Sequence, residues 1–466
     1  MEGVAGQGGL FTKWGGVFTR WCYTTSATRG CFVIKSTPMI TLKTFTPAFA
    51  LTLLAGTIAC MNEAGASGAM AMASAPVAPQ EEALPAPPEP PVPPGTKTIL
   101  LGLLLDTSNS MDGLISQAKA QLWNIVNKLS EARTDGQRPI VRVALYEYGN
   151  SGLPLTGNYI RQVSPFTVNM DEISKQLFAL ATNGGEEYCG AVLAKSLDEL
   201  DWGGEQEGLR MIFIAGNEAF TQGPISFATA CERARQKGIV VNTIFCGNAQ
   251  EGINTSWQAG AIAAKGDYFS IDQDAMTAQV ASPYDGELAQ LNGRLNENAI
   301  PYGESGTYQW MNNVAQDKNA EGLGSSSCNS RVKYKCNNGY VNSSWDLTEV
   351  ETAKLDSVIE RMDRKTLPEK YRGFDGAKLK VEITNQRGLK EAHRARIALL
   401  MKQREEFVAD YNRKAGITNE LESAVLASVE RMATAKGFQF DEHRVKVAPQ
   451  PVEKEKMVEV KKKPGC

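Results

Sequence analysis

The sequence predicts an α/β fold, a doubly wound, mainly parallel sheet followed by a C-terminal α-helical region. Three observations predict it. Continuous apolar runs of strand length stand at 99–105, 209–214 and 239–245, the pattern of strands covered on both faces. Segments with apolar residues at helical spacing alternate with them, which implies crossover connections between parallel strands. Beyond residue 286 the strand pattern gives way to long, charged, helix-periodic segments.

The elements follow in order. The first strand is 99–105, and 113–131 places Leu114, Ile115, Ala118, Leu122, Ile125, Val126 and Leu129 on one helical face. Residues 141–148 form a β-branched and aromatic strand, and 159–163 a short edge strand. Helices are expected at 170–180 and 190–200, then the strand 209–214. A helix over 225–237 is closed by Gly238 before the strand 239–245. A helix at 256–264, a last strand at 268–271 and a helix start at 274–280 complete the sheet domain.

In the second half, 288–298 is helical, 301–345 is polar, Gly/Asn/Ser-rich and expected to be irregular, and 346–362 is a helix. The segment 388–415 carries Ile397, Leu400, Phe407, Val408 and Tyr411 on a seam. Asn419 with Glu422 makes a capping box for a helix that runs to Lys436 and is closed by Gly437. These two long helices pair as a hairpin, offer a face to a partner, or pack as an appendage on the sheet domain or on themselves.

The N-terminal part reads differently. No acidic residue lies between Glu2 and Glu63, while Lys13, Arg20, Arg29, Lys35 and Lys43 are basic. Met39 opens a compact export signal whose apolar stretch 45–59 ends at Cys60. Residues 56–60 resemble a bacterial lipobox, with Thr57 where Leu is usual, so Cys60 is the lipidation candidate and 1–38 an over-extended start. An organellar presequence is the alternative reading of the same acid-poor composition. The expected organisation is a targeting region at 1–60, an Ala/Pro-rich linker at 61–97 and the sheet domain at 98–285. A helical region at 286–440 and a disordered charged tail at 441–466 follow. Such a chain is expected in the cell envelope, periplasmic or membrane-anchored.

Composition narrows the chemistry. Hydrophobic content of 42% and charged content of 22% are those of a globular protein, and a net charge of −3 gives nucleic acid no basic face to bind. The two histidines, His393 and His443, leave the first 392 residues without the imidazole that a zinc hydrolase or a Ser-His-Asp enzyme needs. Cys328 and Cys336 enclose a short polar stretch and are the disulfide candidate, whereas Cys189, Cys231 and Cys246 read as small buried hydrophobes.

The most informative segment is Asp106-Thr107-Ser108-Asn109-Ser110, at the end of the first strand. One carboxylate and two hydroxyls two residues apart are hard oxygen ligands suited to Mg²⁺, Mn²⁺ or Ca²⁺. Strand carboxyl ends are also where open α/β sheets bind ligands. The other reading of the same residues is a cap on the first turn of the following helix.

Asp106-x-Ser108-x-Ser110 in this setting resembles the metal-ion-dependent adhesion site of von Willebrand factor A (VWA) domains, which are Rossmann-like. Residues 98–285 match that family in element order and length. The resemblance implies two further contributions, a Thr in a glycine-flanked loop and an Asp after the strand 209–214. In the first loop Glu186 stands where Thr is usual, with Glu187 beside it and Thr182 an outer candidate. In the second, Gly216 takes the place of the Asp, leaving Asn217 or Glu218 to compensate. The resemblance further implies an open metal position that a partner's carboxylate fills. Negative charge moved onto the ion's own shell weakens that attraction.

Residues 212–223, the Glu-Glu-Tyr-Cys-Gly loop at 186–190 and the stretch 342–347 resemble a group of bacterial VWA-domain proteins of undetermined function. The expectation is a non-enzymatic, tethered module that binds a protein partner, using Asp106, Ser108, Ser110, Glu186 and Asn217 around a divalent cation. The alternative is a scaffold or accessory subunit of an envelope complex acting through the C-terminal helices. Glu186 and Glu187 are a carboxylate pair of the kind acid–base catalysis uses, but no nucleophile–base arrangement accompanies them.

Overall fold

Alternation along β1 (Thr98–Asp106) sets the layering. Ile99, Leu101, Leu103 and Leu105 enter one apolar core, and Leu100 and Leu104 enter another on the opposite face. The computed structural model describes residues 95–440 except 110, 205–207, 272–279, 338, 341 and 417–419. The targeting region with Cys60, the linker up to 94, the segment 274–279, Asn419 and the tail 441–466 lie outside the described residues.

After β1 come α1 (Asp112–Glu131), β2 (Ile140–Tyr148), β3 (Ile160–Thr167), α2 (Met170–Ala179), α3 (Cys189–Glu199) and β4 (Gly208–Gly216). Then follow α4 (Phe227–Gln236), β5 (Val240–Cys246), α5 (Ala249–Asn254), α6 (Trp257–Ala263) and β6 (Lys265–Ile271). The six strands lie in the order β3-β2-β1-β4-β5-β6. All neighbours are parallel except the edge pair β2–β3. That is the doubly wound α/β fold expected from the apolar runs. Its strand order reverses between β1 and β4, the place where such sheets open a crevice.

The C-terminal helices are α7 (Asp285–Glu297), α8 (Gly306–Gly322), α9 (Ser325–Cys336), α10 (Thr352–Arg361), α11 (Glu369–Arg372), α12 (Gly376–Ala415) and α13 (Glu420–Ala435). The expectation that 301–345 is irregular is corrected here, because α8 and α9 occupy most of it. Their buried side chains include Gln309, Asn312, Asn313, Gln316, Asn329 and Lys335, so no apolar stripe marks them in the sequence. The disulfide expectation is corrected as well: Cys328 and Cys336 are both free. They sit eight residues apart on α9, a rise of about 12 Å on one helix, well beyond the span a disulfide bridges.

The helical region is not separate from the sheet. Val425, Val429, Met432 and Ala433 of α13, together with Phe438, join the core formed by β1, α1 and α2. The backbones of Arg133 and Gln439 bond to each other beside it, at 2.8 and 2.7 Å. Along α12, Ile397, Leu400 and Met401 are buried against α7 and α9, while Phe407 and Tyr411 remain exposed. A buried ionic network closes the joint. The Arg331 guanidinium, with no exposed surface, donates to Asp171 of α2 and Asp317 of α8 at 2.7 Å each and lies 4.6 Å over the Trp123 ring of α1. Lys335 reaches Asp317 at 2.8 Å, and Tyr340 donates to Asp171 at 2.9 Å. Burial works against the charge of Arg331, and the two aspartates more than offset it, so its pKa is raised.

Arg331→Met leaves Asp171 and Asp317 buried without their shared cation. Urea unfolding should show a loss of about 3–5 kcal/mol, the usual cost of breaking a buried pair from one side. A loss below about 1 kcal/mol, the range of exposed ion pairs, would contradict the network's role.

Candidate functional site

β1 and β4 run in register up to Leu105 opposite Ala215, so Asp106 and Gly216 end side by side at the switch point. Asp106 is fully buried, and its Oδ1 accepts the Ser108 N–H at 2.8 Å. Its Oδ2, and the hydroxyl of Ser108 at 4% exposure, make no hydrogen bond of normal geometry among the described residues, although the Ser108 hydroxyl and the Asn217 N–H lie near enough to act on the carboxyl as neighbouring dipoles. Capping does not account for them. The residue preceding α1, Met111, makes no side-chain cap, and Asp106 instead folds the chain back on Ser108. Ser110 lies outside the described residues.

Burial pushes the Asp106 carboxyl up to about 7. The N–H and hydroxyl of Ser108 and the Asn217 N–H oppose that rise, and Glu218 adds to it. Glu187, also buried, is raised to about 7 by desolvation first, then by Asp106 and Glu218. Gly149 permits this meeting of carboxylates. A Cβ there would stand 2.7 Å from Asp106 Oδ1 and 3.0 Å from Glu187 Cγ, and the backbone holds φ at +79°, which favours glycine.

Glu187, rather than Glu186, is therefore the loop carboxylate brought to Asp106. Glu186 is exposed and acts on the Tyr188 hydroxyl. Thr182 is half-buried in the same loop, whose neighbouring Asn183 N–H donates to Thr107 O at 2.9 Å. Asn217 is half-buried with its N–H toward Asp106, and Glu218 is exposed.

Sequence reasoning missed Tyr148, the last residue of β2. Its hydroxyl donates to Ala215 O at 2.9 Å and lies 3.6 Å from the Cys189 sulfur. A Cβ at Gly216 would stand 2.6 Å from that hydroxyl and 3.0 Å from Asp106 Oδ2. The phenol thus fills the space that a side chain at 216 would need. The signal was available as a pair, an aromatic residue ending one strand and a glycine ending another two strands away.

The sheet domain is VWA-like. Its strand order and the placement of Asp106-x-Ser108 at the switch point carry that statement. No family model matches the chain, and no curated protein matches it. Solved structures similar to it include BatB from Bacteroides thetaiotaomicron, at 16% identity, a TM-score of 0.29 and coverage of 37% of this chain and 90% of that one. The SpRpn10 VWA domain is similar at 13% identity with a TM-score of 0.28, covering 37% and 88%. The mussel byssus proximal thread matrix protein 1 with a zinc-occupied MIDAS motif gives 12%, 0.29, 39% and 43%. Each of these likenesses covers 37–39% of this chain.

The donor set is hard: one carboxylate oxygen and one hydroxyl, both buried and unpartnered, with a second carboxylate beside them. Among the described residues no three His, Cys, Asp or Glu side chains group to hold a metal, so a cation here would rely on the hydroxyl and on solvent oxygens as well. Among the same residues no helix is long and apolar enough to cross a membrane.

The raised carboxyl makes stability pH-dependent in a defined sense. The folded pKa of Asp106 lies above its unfolded value, so the stabilisation of the protonated form is complete below about pH 4 and is lost as pH rises toward about 7. In chelator, Asp106→Asn should match the wild type near pH 4. It should exceed it near pH 8 by up to about 4 kcal/mol of unfolding free energy, three pKa units' worth. A difference that does not vary with pH would contradict the buried carboxyl.

Proposed function

We propose that the chain is a non-catalytic, protein-binding module whose contact surface is the strand-end face at the β1–β4 switch point. Asp106 and Ser108 hold a divalent cation there, with Glu187 beside it. The observation that carries this reading is the pair of buried oxygens, Asp106 Oδ2 and Ser108 Oγ, left without partners where a ligand is expected. A bound ion would satisfy both and relieve the repulsion between Asp106 and Glu187. Oxygen donors favour Mg²⁺, Mn²⁺ or Ca²⁺ over softer metals.

Export and lipid tethering through Cys60 belong to the same proposal, supported by the signal-like run 39–60 and the Pro-rich stretch that follows. A second reading places the contact on the C-terminal helices, favoured by the exposed Val381, Leu389 and Leu399 of α12. Truncation near residue 280 does not separate the two, because it removes α13 from the sheet core. Point substitutions on each face do.

Calorimetric titration should show one Mg²⁺ or Mn²⁺ bound by the wild type and binding about tenfold weaker in Ser108→Ala, the usual scale for a supporting metal contact. No heat with either ion rejects the metal part. For the anchor, Cys60→Ser should move the protein from the membrane to the soluble fraction, and unchanged membrane recovery would reject tethering at Cys60.

A further inference from the structure

We infer that the partner group this face selects is cationic, a lysine or arginine side chain held by the rim carboxylates Glu186 and Glu218 against the rings of Tyr159 and Tyr188. The inference rests on the strand-end face being the contact surface, and it adds the chemistry of what is contacted.

Charge is the first ground. The charged groups acting most strongly on Asp106 and Glu187 are other carboxylates, Glu218 on the first and Asp106 with Glu218 on the second. Glu186 and Glu218 are exposed at the rim, while Asp106 and Ser108 beneath them are at least nine-tenths buried and retain unpartnered oxygens. A divalent ion would be neutralised by Asp106 and Glu187 alone, which leaves the rim negative. A partner's carboxylate approaching that rim meets like charge, whereas an ammonium or guanidinium meets opposite charge.

Aromatic placement is the second ground. The rings of Tyr159 and Tyr188 lie 6.2 Å apart at 56°, and Glu186 and Glu187 act on the Tyr188 hydroxyl. Tyr188 is seated against Gly223, where a Cβ would come within 2.6 Å of its ring. Tyr159 is held at φ +54°, a left-handed conformation costly for a bulky residue, and its carbonyl accepts the Gly149 N–H at 3.1 Å. The backbone there thus sets the Tyr159 ring against that of Tyr188, which Glu186 and Glu187 flank in sequence. Carboxylates flanking aromatic faces form a cation receptor, one supplying charge and the other a polarizable wall.

The test is fluorescence anisotropy on the full chain with two labelled probes, an Arg–Gly repeat peptide and a Glu–Gly repeat of equal length, each in chelator and in excess Mg²⁺. The Arg–Gly probe should bind the wild type under both conditions, and the Glu–Gly probe under neither. Glu186→Gln/Glu218→Gln should weaken Arg–Gly binding about tenfold, two rim charges' worth, and Tyr188→Leu about threefold through the lost ring face. The control Glu360→Gln/Glu369→Gln, on exposed helical residues elsewhere, should leave binding unchanged. Arg–Gly binding that is indifferent to the rim variants, or weakened as much by the control, overturns the inference. Glu–Gly binding that requires Mg²⁺ and is lost in Ser108→Ala overturns it while upholding the metal-dependent contact face. Failure of both probes to bind overturns the inference, and a calorimetric Mg²⁺ signal then shows whether the metal site survives it.

Discussion

A parallel sheet has two apolar faces that must be covered, and the rest of this structure depends on how the second is closed. On one side α3, α4 and α6 suffice. On the other, α1 and α2 share the work with α13, whose Val425, Val429 and Met432 are buried with Phe438. Each such side chain contributes about 1.5–3 kcal/mol by leaving water. That contribution is available only if the intervening helices bring α13 back. Arg331, held between Asp171 and Asp317 over Trp123, fixes α8 and α9 against α1 and α2 on the same face. Lys390 makes a comparable buried joint in the helical layer, 2.7 Å from Asp346 and 2.6 Å from Glu349.

Much of the sheet was legible because its strands are buried on both faces and read as plain apolar runs. β1, β4 and β5 announce themselves, and the glycine closing α4 is where helix chemistry puts it. What escaped was stabilised by polar rather than apolar contact. α8 and α9 bury amides and charges, so the periodicity that identifies a helix has no hydrophobic carrier there. The short helix α5 escaped for a related reason: its start is fixed by Asn248, whose side chain accepts from Gln250 and Glu251, and not by an apolar stripe. The stretch 342–347 stood out by resemblance, and the structure gives it a structural task. Asp346 is buried and accepts the Ile300 and Thr348 N–H groups at 3.0 Å each.

At the site, the sequence located the strand end but not the phase of the loop that faces it. Adjacent glutamates point in different directions, and only the fold decides that Glu187 turns inward while Glu186 faces water. The altered position 216 has a reason invisible in one dimension. Tyr148 arrives from β2, on the far side of β1, and its phenol takes the volume a carboxylate would have used. Glycine at 216 is therefore what the packing of Tyr148 requires.

The return of α13 to the sheet also sets an order of events. Asn124 of α1 and Glu422 of α13 bond across a sequence separation of 298, so the face they share stays open until nearly all of the described residues have been synthesised. Contacts of such long sequence separation are slow to form, and apolar surface waiting for them is exposed to aggregation. A nascent chain of this design leaves the part of that face beneath α13 open until α13 itself has been made. Closing a sheet with a distant helix thus places its cost on the route of folding as well as on the final state.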